Sequence, residues 1–124
     1  PVYDCAKQFA ACDTVVIAAP FWDYTFPAFL KIYIESLCVG GLTFLYGSDG
    51  VPISYCRAKT LIYITTSGGY IGGTDFGFEY IKTVTKSFFG IENFSFFSAE
   101  GLDILGNDPA AILKAAQEKI EREL

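Results

Sequence analysis

Hydrophobic residues follow two patterns along the chain, one with helical spacing and one in short continuous runs. Helical spacing predicts four helices, over residues 2–12, 28–38, 78–89 and 109–123. Short β-rich runs predict three strands, over residues 14–19, 60–65 and 93–98. The first two runs are continuously apolar, which is typical of strands buried on both faces. Because strands and helices alternate, we expect a single α/β domain over residues 1–124 with a parallel sheet.

Local signals mark the ends of several predicted elements. Gly90 ends the third helix, and Asp108 followed by Pro109 begins the last one. Residues 42–58 hold two short β-rich pieces around Gly47 to Gly50, which predicts an excursion or a small hairpin rather than a core strand. In the last helix the residues expected to face the core are Ile112, Leu113, Ala116 and Ile120.

The number of strands bears on how complete the domain is. A sheet usually has about five or six strands, and only three are predicted for the main sheet. The chain begins with Pro1 and contains no Met. We therefore expect either a fragment of a longer protein or a domain completed by another chain. Strand 14–19 is then an edge strand only because its neighbouring strand is missing. We expect its free edge to be covered by another chain or to be left unpaired.

Composition and charge exclude several functions. The chain has no His, which excludes imidazole base catalysis, a Ser/His/Asp triad and His-ligated metal sites. Nine Lys and Arg against fourteen Asp and Glu leave a formal charge of -5, which disfavours nucleic acid. No apolar run reaches the roughly 18 residues of a membrane span, and the given sequence does not open with a basic segment and a cleavage site. We expect a cytoplasmic protein without a membrane or nucleic-acid partner.

The four cysteines lack the close pairing of a zinc ribbon or a redox motif. Cys5, Cys12, Cys38 and Cys56 are therefore predicted to be free, and to be packed as small buried hydrophobic residues. No metal site is expected.

The loops after the three strands are the candidate ligand site, because ligands of open parallel sheets bind beyond the carboxyl ends of the strands. The loop at 20–26 is aromatic, with Phe21, Trp22, Tyr24 and Phe26. These rings either cover a flat ligand or fold back onto helix 28–38.

The second loop, residues 66–77, contains five glycines. Its backbone N–H groups either approach the polar edge of a ligand or belong to a plain connection. It matches neither a Walker loop nor G-x-G-x-x-G, so phosphate binding is not indicated there. Glu100 in the third loop either reaches the same crevice or is simply solvated.

Taken together and in this order, the segments VVIAAPFWDYTFPAFLKIYIESLCVGGLTFLYGSDG, TLIYITTSGGYIG and FFGIENFSFFSAEGLDI resemble the FMN-dependent NAD(P)H azoreductase and quinone reductase family. The resemblance covers essentially the whole chain and implies a flavodoxin-like three-layer α/β sandwich. It implies that one loop lies along the flavin ring, through Pro20, Phe21, Trp22, Asp23 and Tyr24. It implies that the other loop contacts the opposite flavin edge, through Thr66, Ser67, Gly68 and Gly69.

The same resemblance implies an activity. NAD(P)H delivers a hydride to FMN, and a quinone, azo or nitroaromatic substrate then takes it, so the chain supplies no catalytic acid or base. Family members are homodimers with sites at the interface, and residues 42–56 are then an interface or lid element. Members begin with a strand and a phosphate-binding Ser-rich loop, which implies that this chain lacks its N-terminal third. The alternative is an inactive or non-enzymatic flavodoxin-like fragment that binds a partner.

Overall fold

The computed structural model describes all residues from 1 to 124 and contains four helices and five strands. In chain order these are α1 (Asp4–Ala11), β1 (Thr14–Ala18), α2 (Ala28–Leu37), β2 (Phe44–Tyr46), β3 (Pro52–Ser54), β4 (Thr60–Thr66), α3 (Phe76–Phe89), β5 (Asn93–Ala99) and α4 (Pro109–Glu123). The predicted alternation of helices and strands is confirmed. None of the helices combines the length and apolar character needed to cross a lipid bilayer.

The main sheet has three parallel strands in the order β1-β4-β5. Thr14 of β1 pairs with Thr60 of β4, and Thr60 pairs with Asn93 of β5, so all three strands begin level with one another. The strands β2 and β3 form a separate antiparallel pair, which confirms the hairpin predicted within residues 42–58. The loops that follow β1, β4 and β5 therefore lie at one common edge.

The boundary of α3 differs from its prediction because of a capping side chain. The helix begins at Phe76, two residues earlier than expected, since Asp75 Oδ1 accepts the N–H of Phe78 at 3.0 Å. At its other end Gly90 adopts a φ of 71°, a left-handed conformation that favours glycine. Both ends of α3 are thus fixed by single residues.

One face of the sheet carries the core. Leu61 and Tyr63 of β4 are completely or almost completely buried, and they pack with Phe9 of α1 and with Ile81 and Phe89 of α3. Burial raises the pKa of Tyr63, with a smaller contribution from the nearby negative charge of Asp75. Phe97 and Ala99 of β5 are buried on the opposite face, where α4 contacts β5. Helices therefore lie on both faces of the sheet, as a three-layer fold requires.

Two burial predictions are wrong, and both concern that second face. Strand β1 is buried on one face only: Val15 is buried but Val16 is 58% exposed, because α4 contacts β5 and does not cover β1. Its outer edge has no neighbouring strand in this chain. Helix α4 has no buried residue, and Leu113 is 46% exposed, whereas Ile112, Ala116 and Ile120 are half-buried. A single helix beside β5 is too narrow to cover the whole face.

The prediction that all four cysteines are free is confirmed, but the prediction that they are buried holds for only one of them. All four thiols are free, yet only Cys56 is buried, and Cys5 is exposed. Cys12 and Cys38 are half-buried. Burial raises the pKa of the Cys56 thiol from an ordinary 9.0 to about 11, and its Sγ donates weakly to the carbonyl of Thr43 at 3.5 Å.

We predict that the free energy of unfolding falls as pH rises from about 9 to about 11. In this range the unfolded chain releases the Cys56 proton while the folded chain retains it, so deprotonation favours unfolding by up to about 2 kcal/mol. Urea unfolding of the Cys56→Ala variant should show a correspondingly flatter pH dependence. Cys5→Ala, at an exposed thiol, is the control and should keep the full slope. An equal slope in both variants would contradict this account.

Candidate functional site

Three loops meet at the carboxyl edge of the sheet, covering residues 19–27 after β1, 67–75 after β4 and 100–108 after β5. Main-chain hydrogen bonds join them in sequence. The N–H of Phe21 donates to the carbonyl of Thr66 at 2.8 Å, and the N–H of Ser67 donates to the carbonyl of Ala99 at 2.9 Å. Strand pairing thus continues past the ends of the strands and fixes the loops relative to one another.

The first loop contains a tight turn from Trp22 to Thr25. These two residues exchange both main-chain hydrogen bonds, at 2.8 and 3.0 Å, and the central residues Asp23 and Tyr24 have φ values of 52° and 71°. Positive φ at both central positions makes this a type I′ turn. Aspartate tolerates this conformation, but for a bulky residue such as tyrosine it costs about 1 kcal/mol or more. The turn is therefore a strained feature that its surroundings must hold in place.

The aromatic rings of this loop divide between core and surface. Phe26 is buried and lies 5.9 Å from the ring of Tyr80, so it folds back onto the core. Trp22 and Tyr24 are 58% and 66% exposed, and the Tyr24 ring meets the Phe21 ring edge-on at 6.0 Å. Phe26 therefore belongs to the core, whereas the exposed rings of Trp22 and Tyr24 keep the expectation of a flat ligand as a prediction.

At the start of the glycine-rich loop three successive carbonyls accept hydrogen bonds, and the amides of Gly68 and Gly69 are unbonded. The carbonyls of Ser67, Gly68 and Gly69 accept hydrogen bonds from the N–H groups of Leu102 (3.1 Å), Asp103 (2.8 Å) and Gly101 (2.8 Å). The N–H groups of Gly68 and Gly69 donate to nothing within the chain. These donors are available to an acceptor on a ligand.

Glu100 anchors the same loop from β5. Its Oε1 accepts the N–H of Ile71 at 2.8 Å, and its Oε2 accepts the hydroxyl of Ser98 at 2.5 Å. Both carboxylate oxygens are therefore engaged in structural bonds. The residue neither reaches into the crevice nor is simply solvated, which were the two expectations for it.

A cleft of about 490 Å³ lies between the loops. Such a volume is within the range of small-molecule sites. Seven of the nine residues predicted to bind a cofactor line it, and Tyr24 and Gly69 do not. The lining consists of Pro20, Phe21, Trp22, Asp23, Thr66, Ser67, Gly68, Leu102 and Asp103.

The sequence prediction missed Leu102 and Asp103. They enter the site because their N–H groups bond to the carbonyls of Ser67 and Gly68. The Asp103 carboxylate lies so close to Gly68 that a Cβ on residue 68 would overlap it. The glycine at this position therefore permits the third loop to close against the second.

A family model described as the flavodoxin-like fold matches residues 2–124. The chain belongs to this flavodoxin-like family. It is 41% identical over 123 residues to FMN-dependent NADH:quinone oxidoreductase 2 of Clostridium acetobutylicum, covering 95% of this chain and 60% of that relative. It is 36% identical over 126 residues to FMN-dependent NADH:quinone oxidoreductase of Caldicellulosiruptor saccharolyticus, covering 98% of this chain and 62% of the relative.

Solved structures agree with this assignment. The flavodoxin-like chain superimposes with a TM-score of 0.79 and 26% identity on an FMN-dependent NADH-azoreductase from Bacillus anthracis in complex with FMN. The match covers 96% of this chain and 58% of that one. The chain thus spans about 60% of the length of the relatives it matches. The resemblance to quinone reductases and azoreductases is confirmed, as is the flavodoxin-like fold.

We predict that Glu100→Ala loosens the glycine-rich loop without unfolding the chain. Loss of the carboxylate leaves the Ile71 amide without its acceptor, so its hydrogen exchange should become about tenfold faster. Exchange measured by NMR or mass spectrometry reports this directly. Glu92→Ala, which removes an exposed carboxylate next to the start of β5, is the control and should leave Ile71 unchanged. Unchanged exchange in Glu100→Ala would show that other contacts hold the loop.

Proposed function

We propose that the protein to which this chain belongs is an FMN-dependent NAD(P)H oxidoreductase that reduces quinones, azo compounds or nitroaromatic compounds. The observation that carries the proposal is the cleft between the aromatic turn and the two unbonded glycine amides. The names of the relatives, which specify FMN, NADH, quinone and azo reduction, support the same activity.

The residues of the cleft fit an isoalloxazine ring. Phe21 and Trp22 supply aromatic surface against which a flat ring can stack. The N–H groups of Gly68 and Gly69 suit the carbonyl oxygens and ring nitrogens of the pyrimidine edge. Glycine at 68 also makes room for the Asp103 carboxylate, which lies against the backbone beside that amide. We assign cofactor binding to the nine predicted residues, with Tyr24 acting through its contact with Phe21 and Gly69 through its amide.

When bound, FMN supplies the hydride exchange between the nicotinamide and the acceptor. The chain itself orients the reactants and needs no acid or base of its own. The strained Asp23–Tyr24 turn keeps the neighbouring aromatic rings in place, because it is bonded on both sides. The N–H of Phe21 donates to the carbonyl of Thr66, and the carbonyl of Tyr24 accepts the N–H of Phe76 at 3.1 Å. Glu100 keeps the amide-bearing loop fixed on the other side. A preorganised site of this kind lowers the entropic cost of binding.

Three further assignments belong to the proposal. NADH is the hydride donor that the relatives' names support, and NADPH is included as an alternative donor. A homodimer is supported by exposed apolar side chains at the start of the chain and on α2, namely Val2, Tyr3, Phe29 and Ile32. A cytoplasmic location is supported by four free thiols.

The test uses the longest natural form of the protein that contains these residues, purified and loaded with FMN. Under anaerobic conditions, NADH should bleach the visible flavin absorbance, and a naphthoquinone or an azo dye should restore it. Steady-state turnover with each acceptor then defines the substrate class. A protein that fails to bind FMN, or binds it without reduction by NADH, would favour the non-enzymatic alternative.

We predict that Gly68→Val weakens FMN binding at least about tenfold while changing the melting temperature by only a few degrees. The new side chain overlaps the exposed Asp103 carboxylate and pushes it aside, so the β-branched group and the displaced carboxylate together narrow the cleft beside the Gly68 amide. Gly69→Val should behave similarly, since nothing in the chain lies within 4 Å of the added Cβ.

Gly73→Val is the matched control, because Gly73 lies in the same loop, has open space around it and does not line the cleft. It should keep the affinity for FMN. Flavin absorbance titration and thermal melts of all three variants provide the measurements. Loss of stability with retained FMN in the folded fraction would show that Gly68 and Gly69 are structural only.

A further inference from the structure

The first turn of α3 is bonded to the strained turn of the cleft. The N–H of Phe76, the first residue of the helix, donates to the carbonyl of Tyr24 at 3.1 Å. Within the turn, Trp22 and Thr25 bond only to each other. The Phe76 bond is therefore the only main-chain hydrogen bond that connects residues 22–25 to another element.

The same two segments also pack closely at Gly77. A Cβ on residue 77 would lie 2.7 Å from Cδ2 of Phe26 and 3.1 Å from Oδ1 of Asp75. The buried Phe26 ring and the Asp75 carboxylate therefore meet in the space that this glycine leaves open. The end of the aromatic loop is thus packed against the first turn of α3.

Asp75 fixes this turn of the helix. Its Oδ1 accepts the N–H of Phe78 at 3.0 Å, and its carbonyl accepts the N–H of Glu79 at 3.0 Å. Asp75 is only 7% exposed, and its Oδ2 is buried without a hydrogen-bond partner, which costs free energy. A capping role does not require burial, since Asp108 caps α4 while exposed. The burial of Asp75 therefore reflects its packing against the aromatic loop.

The turn that these contacts restrain does not hold its conformation by itself. Asp23 and Tyr24 both have positive φ, and such strain persists only where the surroundings enforce it. Without the Phe76 bond, the carbonyl of Tyr24 has no partner and the turn can relax to an ordinary conformation. Relaxation would displace the Trp22 ring, because Trp22 begins the turn and lines the cleft.

We propose that Asp75 is a positioning residue for the cleft. It fixes the first turn of α3, and the Phe76 N–H of that turn holds Asp23 and Tyr24 in the strained conformation that places the Trp22 ring. Asp75 does not line the cleft and acts through Phe76. The consequence for FMN binding rests on the proposed function, whereas the restraint of the turn does not.

The first test removes the Phe76 N–H and keeps the helix. Proline has no main-chain N–H and is favoured at the first helical position, so Phe76→Pro deletes the bond to Tyr24. The same pair of residue types already begins α4, at Asp108–Pro109. Asp75 also has the extended conformation, with φ -90° and ψ 102°, that suits a residue before proline. Phe76→Ala is the matched control, because it removes the same exposed side chain and keeps the N–H.

Hydrogen exchange of the Trp22 and Thr25 amides reports the state of the turn in the 124-residue chain without cofactor. Both amides should exchange about tenfold faster in Phe76→Pro, and within about twofold of the unmodified rate in Phe76→Ala. Acrylamide quenching of Trp22, the only Trp in the chain, should rise towards that of a free indole in Phe76→Pro alone. In the FMN-loaded protein, Phe76→Pro should weaken FMN binding about fivefold, because the cleft is no longer preorganised.

The second test concerns Asp75 itself. Asp75→Ala removes the acceptor of the Phe78 N–H and should also speed exchange at Trp22 and Thr25 about tenfold. Asp75→Asn retains a capping oxygen and should restore slow exchange. Asp108→Ala removes the corresponding cap from α4, so it should leave both amides unchanged.

Unchanged exchange at Trp22 and Thr25 in Phe76→Pro or in Asp75→Ala would overturn the inference, as would equal loosening in Phe76→Ala. Loss of the helical circular dichroism in either test variant would show that the residue maintains the fold rather than the turn, and would also overturn it. A loosened turn with unchanged FMN affinity would overturn the consequence for the cleft. A loosened turn in Phe76→Pro, together with an unmodified protein that binds no FMN, would support the restraint and count against the proposed function alone.

Discussion

Main-chain pairing that continues past the ends of the strands is the constraint on which the cleft depends. Phe21 bonds to Thr66, Ser67 bonds to Ala99, and three successive carbonyls of the second loop are taken by amides of the third. These bonds fix the peptide groups of the second loop, in which the amides of Gly68 and Gly69 have no acceptor within the chain. The hydrogen-bond donors of the site are thus main-chain amides, held in position by the pairing of the loops. No side chain has to supply a donor.

Much of the fold was predictable because it depends on local patterns. The apolar spacing of α3 and the Asp108–Pro109 start of α4 are properties of short segments, and the structure agrees with them. The burial of β1 and α4 was predicted wrongly because it depends on neighbours. Val16 is as apolar as Val15, yet only Val15 faces a helix-covered core.

The candidate site was predictable to a similar extent. The two loops were identified from their composition and order, and seven of their nine chosen residues line the cleft. Asp103 was missed because its place depends on a bond to Gly68, 35 positions earlier in the chain. The turn at Asp23 and Tyr24 was missed because this turn type normally signals itself through Asn-Gly or Asp-Gly.

The contact between Gly68 and Asp103 has a consequence for how the sequence can vary. Any side chain at 68 would need the space that the Asp103 carboxylate occupies, so the two positions restrict each other. A shorter residue at 103 would open that space, and glycine at 68 would then be needed only for its ligand. Where a bound ligand also requires glycine at 68, residue 103 is free to change while residue 68 is not. Related sequences that retain the site should therefore vary at 103 more readily than at 68.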